Sequence, residues 1–147
     1  MIDVVPVKDI QELLEWRTEV IQTVFGVQPS AELMKKNEDY YRLHVADGSH
    51  IPVKALYNGL DAGCGSLCLT EELPSPDNPS GRCAYLMNIY VRQPFREHGV
   101  GHVIVNHLIE LARYKGCNKI YLETTPEGRP LYESIGFHDL PDMMKLG

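Results

Sequence analysis

Arg96-Glu97-His98-Gly99-Val100-Gly101 is the stretch on which the reading of this chain turns. It follows an apolar run, Cys83 to Val91, and opens a run patterned as a helix, Val100 to Tyr114. The first N–H groups of a helix have no intrahelical partner, and the aligned peptide dipoles put roughly half a positive charge there. Glycines let an anion come close to the main chain, because no Cβ stands in the way. Strand, glycine turn and helix together therefore predict a diphosphate site. A P-loop would require Lys-Ser/Thr after its last glycine, whereas Gly101 is followed by His102 and Val103. A dinucleotide fingerprint belongs at the first strand turn, and these glycines lie two thirds of the way along the chain.

Working outward, the flanks of the turn are basic. Arg82, Arg92, Arg96, His98 and His102 surround it, with Glu97 the one acid among those positions. The chain as a whole is acidic: 14 Lys and Arg against 20 Asp and Glu give a net charge of −6. A local positive patch on an acidic protein suits a small anionic ligand, and the global sign argues against nucleic acid as partner. The 147 residues suit one domain, 1–147, with enough chain for a real core. No apolar run approaches the roughly 20 residues that span a bilayer, and no signal peptide is visible. Cys64, Cys68, Cys83 and Cys117 match no common zinc spacing. They read as small reduced core residues of a cytoplasmic protein, with no metal expected.

The remaining elements follow from periodicity and punctuation. A strand is expected at Val4–Val7, then a helix from Ile10 to Val24 capped by Asp9 and stopped by Gly26. Ser30 caps a second helix, Ala31 to about Leu43. Ile51–Tyr57 and Cys64–Leu69 are strands of a hairpin around Asn58-Gly59. Pro74, Pro76 and Pro79 make the next stretch a loop. Cys83–Val91 is apolar on both faces, as a central strand is, with Asn88 its only strongly polar side chain. On the 100–114 helix, Val100, Val103, Ile104, Leu108, Leu111 and Ala112 form the apolar stripe. Lys119–Glu123 is a further strand and Leu131–Ile135 a short helix. Phe137 and Met143–Leu146 suggest final strand pieces. The class is α/β with a mixed sheet.

Three segments in this order resemble the GNAT superfamily of N-acetyltransferases. Arg96-x-x-Gly99-x-Gly101 looks like its Q/R-x-x-G-x-G/A acyl-CoA signature. Asn88-Ile89-Tyr90-Val91 precedes it, and Arg129 to Phe137, with Tyr132 and Gly136-Phe137, is similar to its closing segment. The resemblance implies a mixed, mostly antiparallel sheet of six to seven strands with a splayed central pair and helices on both faces. It implies acetyl-CoA as co-substrate and a primary amine of a small molecule or peptide as acceptor, with direct transfer between them. A homodimer is a family habit. The main chain of Glu97, His98, Gly99, Val100, Gly101 and His102 would wrap the diphosphate with help from Arg96. The backbone of Ile89, Tyr90 and Val91 would pair with the pantetheine arm.

By the same resemblance, Tyr132 stands where a tyrosine commonly meets the thioester sulfur, and its phenol can return a proton to the leaving thiolate. The base is open. Tyr85, Met87 and Asn88 fill the central-strand stretch where family members often carry a glutamate or histidine. Glu123 is the leading candidate, with Glu71 and Glu72 beside it. Asn88 holds a water or substrate, or is a hydrogen-bonded strand amide. Trp16, Arg17, Glu19, Tyr40, Tyr41 and His50 are possible liners of the acceptor side, and the acidic balance points to a cationic acceptor. Without an obvious base, a catalytically weak acyl-CoA-binding or sensing module of the same fold is the alternative.

Overall fold

The computed structural model describes all residues, 1–147. Five strands form one sheet in sequence order: β1 (Ile2–Pro6), β2 (His50–Tyr57), β3 (Leu60–Glu71), β4 (Arg82–Val91) and β5 (Lys119–Leu122). The first four are antiparallel neighbours, and β5 runs parallel to β4. That parallel step needs a crossover, supplied by α3 (Val100–Tyr114). The other helices are α1 (Ile10–Val20), α2 (Ala31–His44) and α4 (Arg129–Ile135). No helix is long and apolar enough to cross a membrane.

Local chemistry accounts for the boundaries. The Asp9 carboxylate accepts from the Glu12 N–H at 2.9 Å, and Ser30 Oγ accepts from the Leu33 N–H at 3.0 Å, so α1 and α2 start where their caps predict. Asn58 and Gly59 both have positive φ, as a two-residue hairpin turn demands. The α1 helix continues as a π turn over Ile21–Phe25 before Gly26 ends it. β3 is longer at both ends than its apolar core suggests, because it is paired along both edges and its polar ends need no buried face.

Helices cover both faces, as expected. On one, Leu67, Leu86, Ile104 and Leu108 are fully buried where β3 and β4 meet α3; each contributes roughly 1.5–3 kcal/mol by burial. Val105 is buried where Val103 was expected, on the opposite edge of the stripe, while Val103 is half-buried. On the other face, Trp16 and Val20 of α1 pack on Cys64 and Tyr90. The four cysteines are free.

The strand count is five, not six to seven. Phe137 and Met143–Leu146 are irregular. The physical reason lies in residues 138–142: Pro141 lacks a ladder donor, Asp139 and Asp142 flank it, and Met143, Met144 and Leu146 find no buried face. The outer edge of β5 is left without a strand.

Candidate active site

The glycine turn has the geometry its sequence suggests. After β4, Gln93–Phe95 form a single 3₁₀ turn and the chain bends through Glu97 (φ +66°) and Gly99 (φ +84°). Gly99 is the N-cap of α3 and supplies no side-chain acceptor, so the N–H groups of Val100, Gly101 and His102 are left for a ligand. A Cβ on Gly99 would meet no protein atom within 4 Å; one on Gly101 would stand 3.0 Å from Leu131 Cδ2. The first glycine therefore faces open space at a backbone angle side chains avoid, and the second lets α4 pack on α3.

The side chains around the turn are held. Arg96 Nε donates to the Val91 carbonyl at 3.0 Å, which ties the bend to the strand end and leaves its outer N–H groups free. The His98 ring stacks 5.3 Å from Tyr57, and His102 Nε2 lies 2.9 Å from Ser134 Oγ of α4. Glu97 is exposed.

β4 carries the distortion. Cys64 pairs with Tyr90 but Ser66 with Met87, so two residues of β4, Asn88 and Ile89, oppose one of β3, Gly65. Asn88 sits in this bulge with φ +58°. The bulge turns Ile89 toward the α3 core and Tyr90 toward α1. Pairing between β4 and β5 stops at Leu86 and Leu122. Beyond it, the backbone of Met87–Val91 has no strand on that side: the central pair is splayed, and its open edge runs to the uncapped start of α3.

Tyr132 lies in α4, its ring 5.9 Å edge-on from Phe137 and almost fully buried. Burial raises its phenol above the usual tyrosine range. Glu123 follows the last residue of β5 and is exposed. It faces Tyr85, whose hydroxyl is pushed up to about 12, first by burial and then by the Glu123 charge. Tyr132 and Glu123 share a cleft of about 1290 Å³ along β5, α4 and the C-terminal segment. This cleft is lined by no residue of β4 and by none of residues 96–102, so it is not the anion site. Asn88 points instead to the α1 side, where its Oδ1 accepts from Arg17 Nη1 at 2.8 Å. Tyr85 pairs with Cys68, which touches Tyr40 of α2, so Glu123 beside Tyr85 and Asn88 beside Arg17 both lie toward the α1–α2 face, while Tyr132 packs in the α3 core.

Glu72 accepts from Asn78 and Lys119, and these bonds hold its carboxyl below the usual range, which makes it a poor proton acceptor. Glu71 ends β3, exposed. On the acceptor side, Trp16 and Glu19 are structural: Arg92 stacks 4.4 Å over Trp16 and grips Glu19 with two 2.9 Å bonds. Tyr40 Oη lies 2.9 Å from His50 Nδ1 and 3.4 Å from Cys68 Sγ, in a cluster that the sequence spacing does not reveal. Burial, and then the charges of His44 and Arg17, push His50 down to about 4. No three His, Cys, Asp or Glu side chains converge as a metal site.

An uncapped helix start beside a splayed parallel pair leaves main-chain groups unpaired along one strand edge of this α/β fold. The model of the acetyltransferase (GNAT) family matches residues 10–137, and the chain belongs to that family. Among curated proteins it is 30% identical over 97 residues to the thialysine N-epsilon-acetyltransferase of Sus scrofa, covering 51% of this chain and 57% of that one. It is 31% identical over 62 residues to the glucosamine 6-phosphate N-acetyltransferase of Trypanosoma brucei brucei, covering 42% of each. The chain spans about half the length of the curated relatives it matches. A crystal structure of a predicted acetyltransferase with acetyl-CoA from Clostridium acetobutylicum shares the fold at TM-score 0.87 and 24% identity, over 100% of this chain and 96% of that one. A GCN5-related N-acetyltransferase from Ralstonia eutropha JMP134 does so at 0.82 and 22%, over 99% and 98%.

Proposed function

We propose that this protein is an acetyl-CoA-dependent N-acetyltransferase that moves an acetyl group directly to the primary amine of a small molecule. One observation carries the reading: the β4 backbone from Met87 to Val91 lacks a partner on its β5 side and leads to the uncapped N-terminus of α3. Those two features supply what an extended amide arm ending in a diphosphate requires. The curated relatives are named for small amines, thialysine and glucosamine 6-phosphate.

Each residue then has a task. The N–H groups of Val100, Gly101 and His102 and the outer N–H groups of Arg96 hold the diphosphate. Ile89, Tyr90 and Val91 offer main-chain donors and acceptors to the pantetheine amides, although the Val91 carbonyl already takes Arg96 Nε. A main-chain N–H at the bulge stabilises negative charge on the carbonyl oxygen as the amine nitrogen bonds to the acetyl carbon. Glu123, directly or through water, takes the proton that the amine loses. Tyr132 gives its proton to the sulfur as the carbon–sulfur bond breaks, and its raised proton affinity keeps it in the phenol form at neutral pH. The protein works in the cytoplasm, whose reducing poise suits its four free thiols, and as a homodimer. Sedimentation at micromolar concentration reports two copies if so and one if not.

The test of the reaction is thiol release from acetyl-CoA across a panel of amines. Amine-dependent release supports the transferase. Tight acetyl-CoA binding with no release by any amine replaces it with an acyl-CoA sensor, the role favoured by the lack of a base on β4.

A further inference from the structure

Arg17 is the one arginine that is neither exposed nor paired with an acid. The chain has seven arginines, of which Arg17 and Arg92 alone are not exposed. Arg92 is paired with Glu19. No carboxylate lies within 4 Å of Arg17. On the same two helices and the strand beside them, Lys35, Lys36, Arg42 and Lys54 each have an acid. A partly buried charge is costly unless it is paired, and a chain with 20 acids to 14 bases has partners to spare.

The guanidinium is held in place by neutral groups. Arg17 Nε donates to Asn37 Oδ1 at 3.2 Å and Nη1 to Asn88 Oδ1 at 2.8 Å. Asn37 is fixed in turn, its Nδ2 donating to the Leu33 carbonyl at 2.9 Å. Two of the five guanidinium N–H groups are thereby used, and three have no protein acceptor. Because arginine only donates, Asn88 must present its oxygen to Arg17, which leaves the Asn88 Nδ2 hydrogens beside the free guanidinium donors. Tyr41, His50 and Cys64 all feel the Arg17 charge, so it faces the space between α1, α2 and the sheet. The Phe25 ring, 64% exposed at the end of the π turn, lies 6.0 Å from the guanidinium carbon.

This set of donors meets the bulge of β4, at the head of the open strand edge. We propose that Arg17, with the Asn88 amide, binds a carboxylate on the acceptor, so that the acceptor is an amino acid or a similarly small molecule carrying amine and carboxylate together. The inference rests on the transferase reading and deepens it. It replaces the expectation of a purely cationic acceptor, which came from net charge alone; the local charge is positive. A carboxylate matches one guanidinium, whereas a phosphate ester near −1.5 to −2 would leave charge uncompensated at a site with one cation.

The experiment measures CoA release with the twenty proteinogenic amino acids, each against its carboxamide, its decarboxylated amine and the matching aminophosphonate. The best acid should exceed its carboxamide in kcat/KM by about 10- to 100-fold, the range of a charge-assisted bond. Arg17→Gln should erase that ratio through KM for the acceptor, and Arg17→Lys should keep part of it. KM for acetyl-CoA, measured in parallel, reports that the variants are folded. If Arg17→Gln does not fold, the wild-type ratio and the Arg17→Lys ratio decide. Carboxamides or bare amines used as well as acids, aminophosphonates preferred, or an unchanged ratio in Arg17→Gln would each overturn the carboxylate site while leaving the transferase intact. Silence with every amine overturns the transferase reading, and this inference with it.

Discussion

Tyr132 puts a phenol inside a wall of apolar side chains, and that setting determines which proton it can give. Burial disfavours the phenolate, so the group stays protonated through neutral pH, as the proposed acid role requires. Tyr132→Phe removes the proton and keeps the ring against Phe137. The expected outcome is a fall in kcat of about 100-fold or more with KM for acetyl-CoA little changed, read from steady-state CoA release. An equal kcat in the variant would take the acid role away. On the alkaline side wild-type activity should hold beyond the ordinary tyrosine range before it declines, and this alkaline limb should vanish in the variant. Tyr132 was legible in the sequence because a Tyr-x-x-x-Gly-Phe spacing survives any packing. Arg17 was legible only as one of six possible liners. Its meaning lies in which partners it lacks, and absence of a partner is a fact about space.

At the scale of elements, the bend between β4 and α3 joins two devices: a strand freed on one edge and a helix start left uncapped. Gly99 links them through a φ of +84°. Gly99→Val would strain the bend by about 1–2 kcal/mol and put a branched side chain on the open, ligand-facing side. KM for acetyl-CoA should rise about tenfold or more, measured under saturating amine. An unchanged KM would remove the α3 N-terminus from coenzyme binding. The α3 boundaries, Val100 to Tyr114, follow from the glycine before, Gly116 after and a 3.6-residue apolar stripe between. Met143, Met144 and Leu146 are apolar enough to suggest a strand, and they form none. Composition does not show that no partner edge reaches them.

For the whole molecule, the two faces of the sheet have different chemistry. The α3 face is a dry apolar core. The α1–α2 face holds His50, Tyr40, Tyr41, Cys68 and Arg17 in a half-polar layer, and its stability depends on pH. In the unfolded chain His50 takes a proton near 6.5; in the folded protein, buried and close to His44 and Arg17, it does so only at about 4. The unfolded state binds the extra proton in that window, so the His50 contribution is complete above pH 6.5. It is lost progressively as pH falls toward 4, by up to about 3 kcal/mol. Urea midpoints at pH 7.5 and 4.5 should separate widely for the wild type and less for His50→Gln. An equal separation in both would locate the acid sensitivity elsewhere.

The sequence by itself determined the α/β class, the helix limits set by caps and glycines, the glycine turn at the start of α3 and the short helix that carries Tyr132. These depend on residues near one another along the chain, where φ preferences, hydrogen-bond caps and periodicity act. Tertiary structure alone decided that the sheet has five strands, that β4 parts from β5 after Leu86, that Tyr132 packs in the α3 core while Asn88 turns to α1, and that Arg17 has no acid beside it. Those are outcomes of which surfaces meet across the sheet, and the energy of a charge depends on every group that surrounds it.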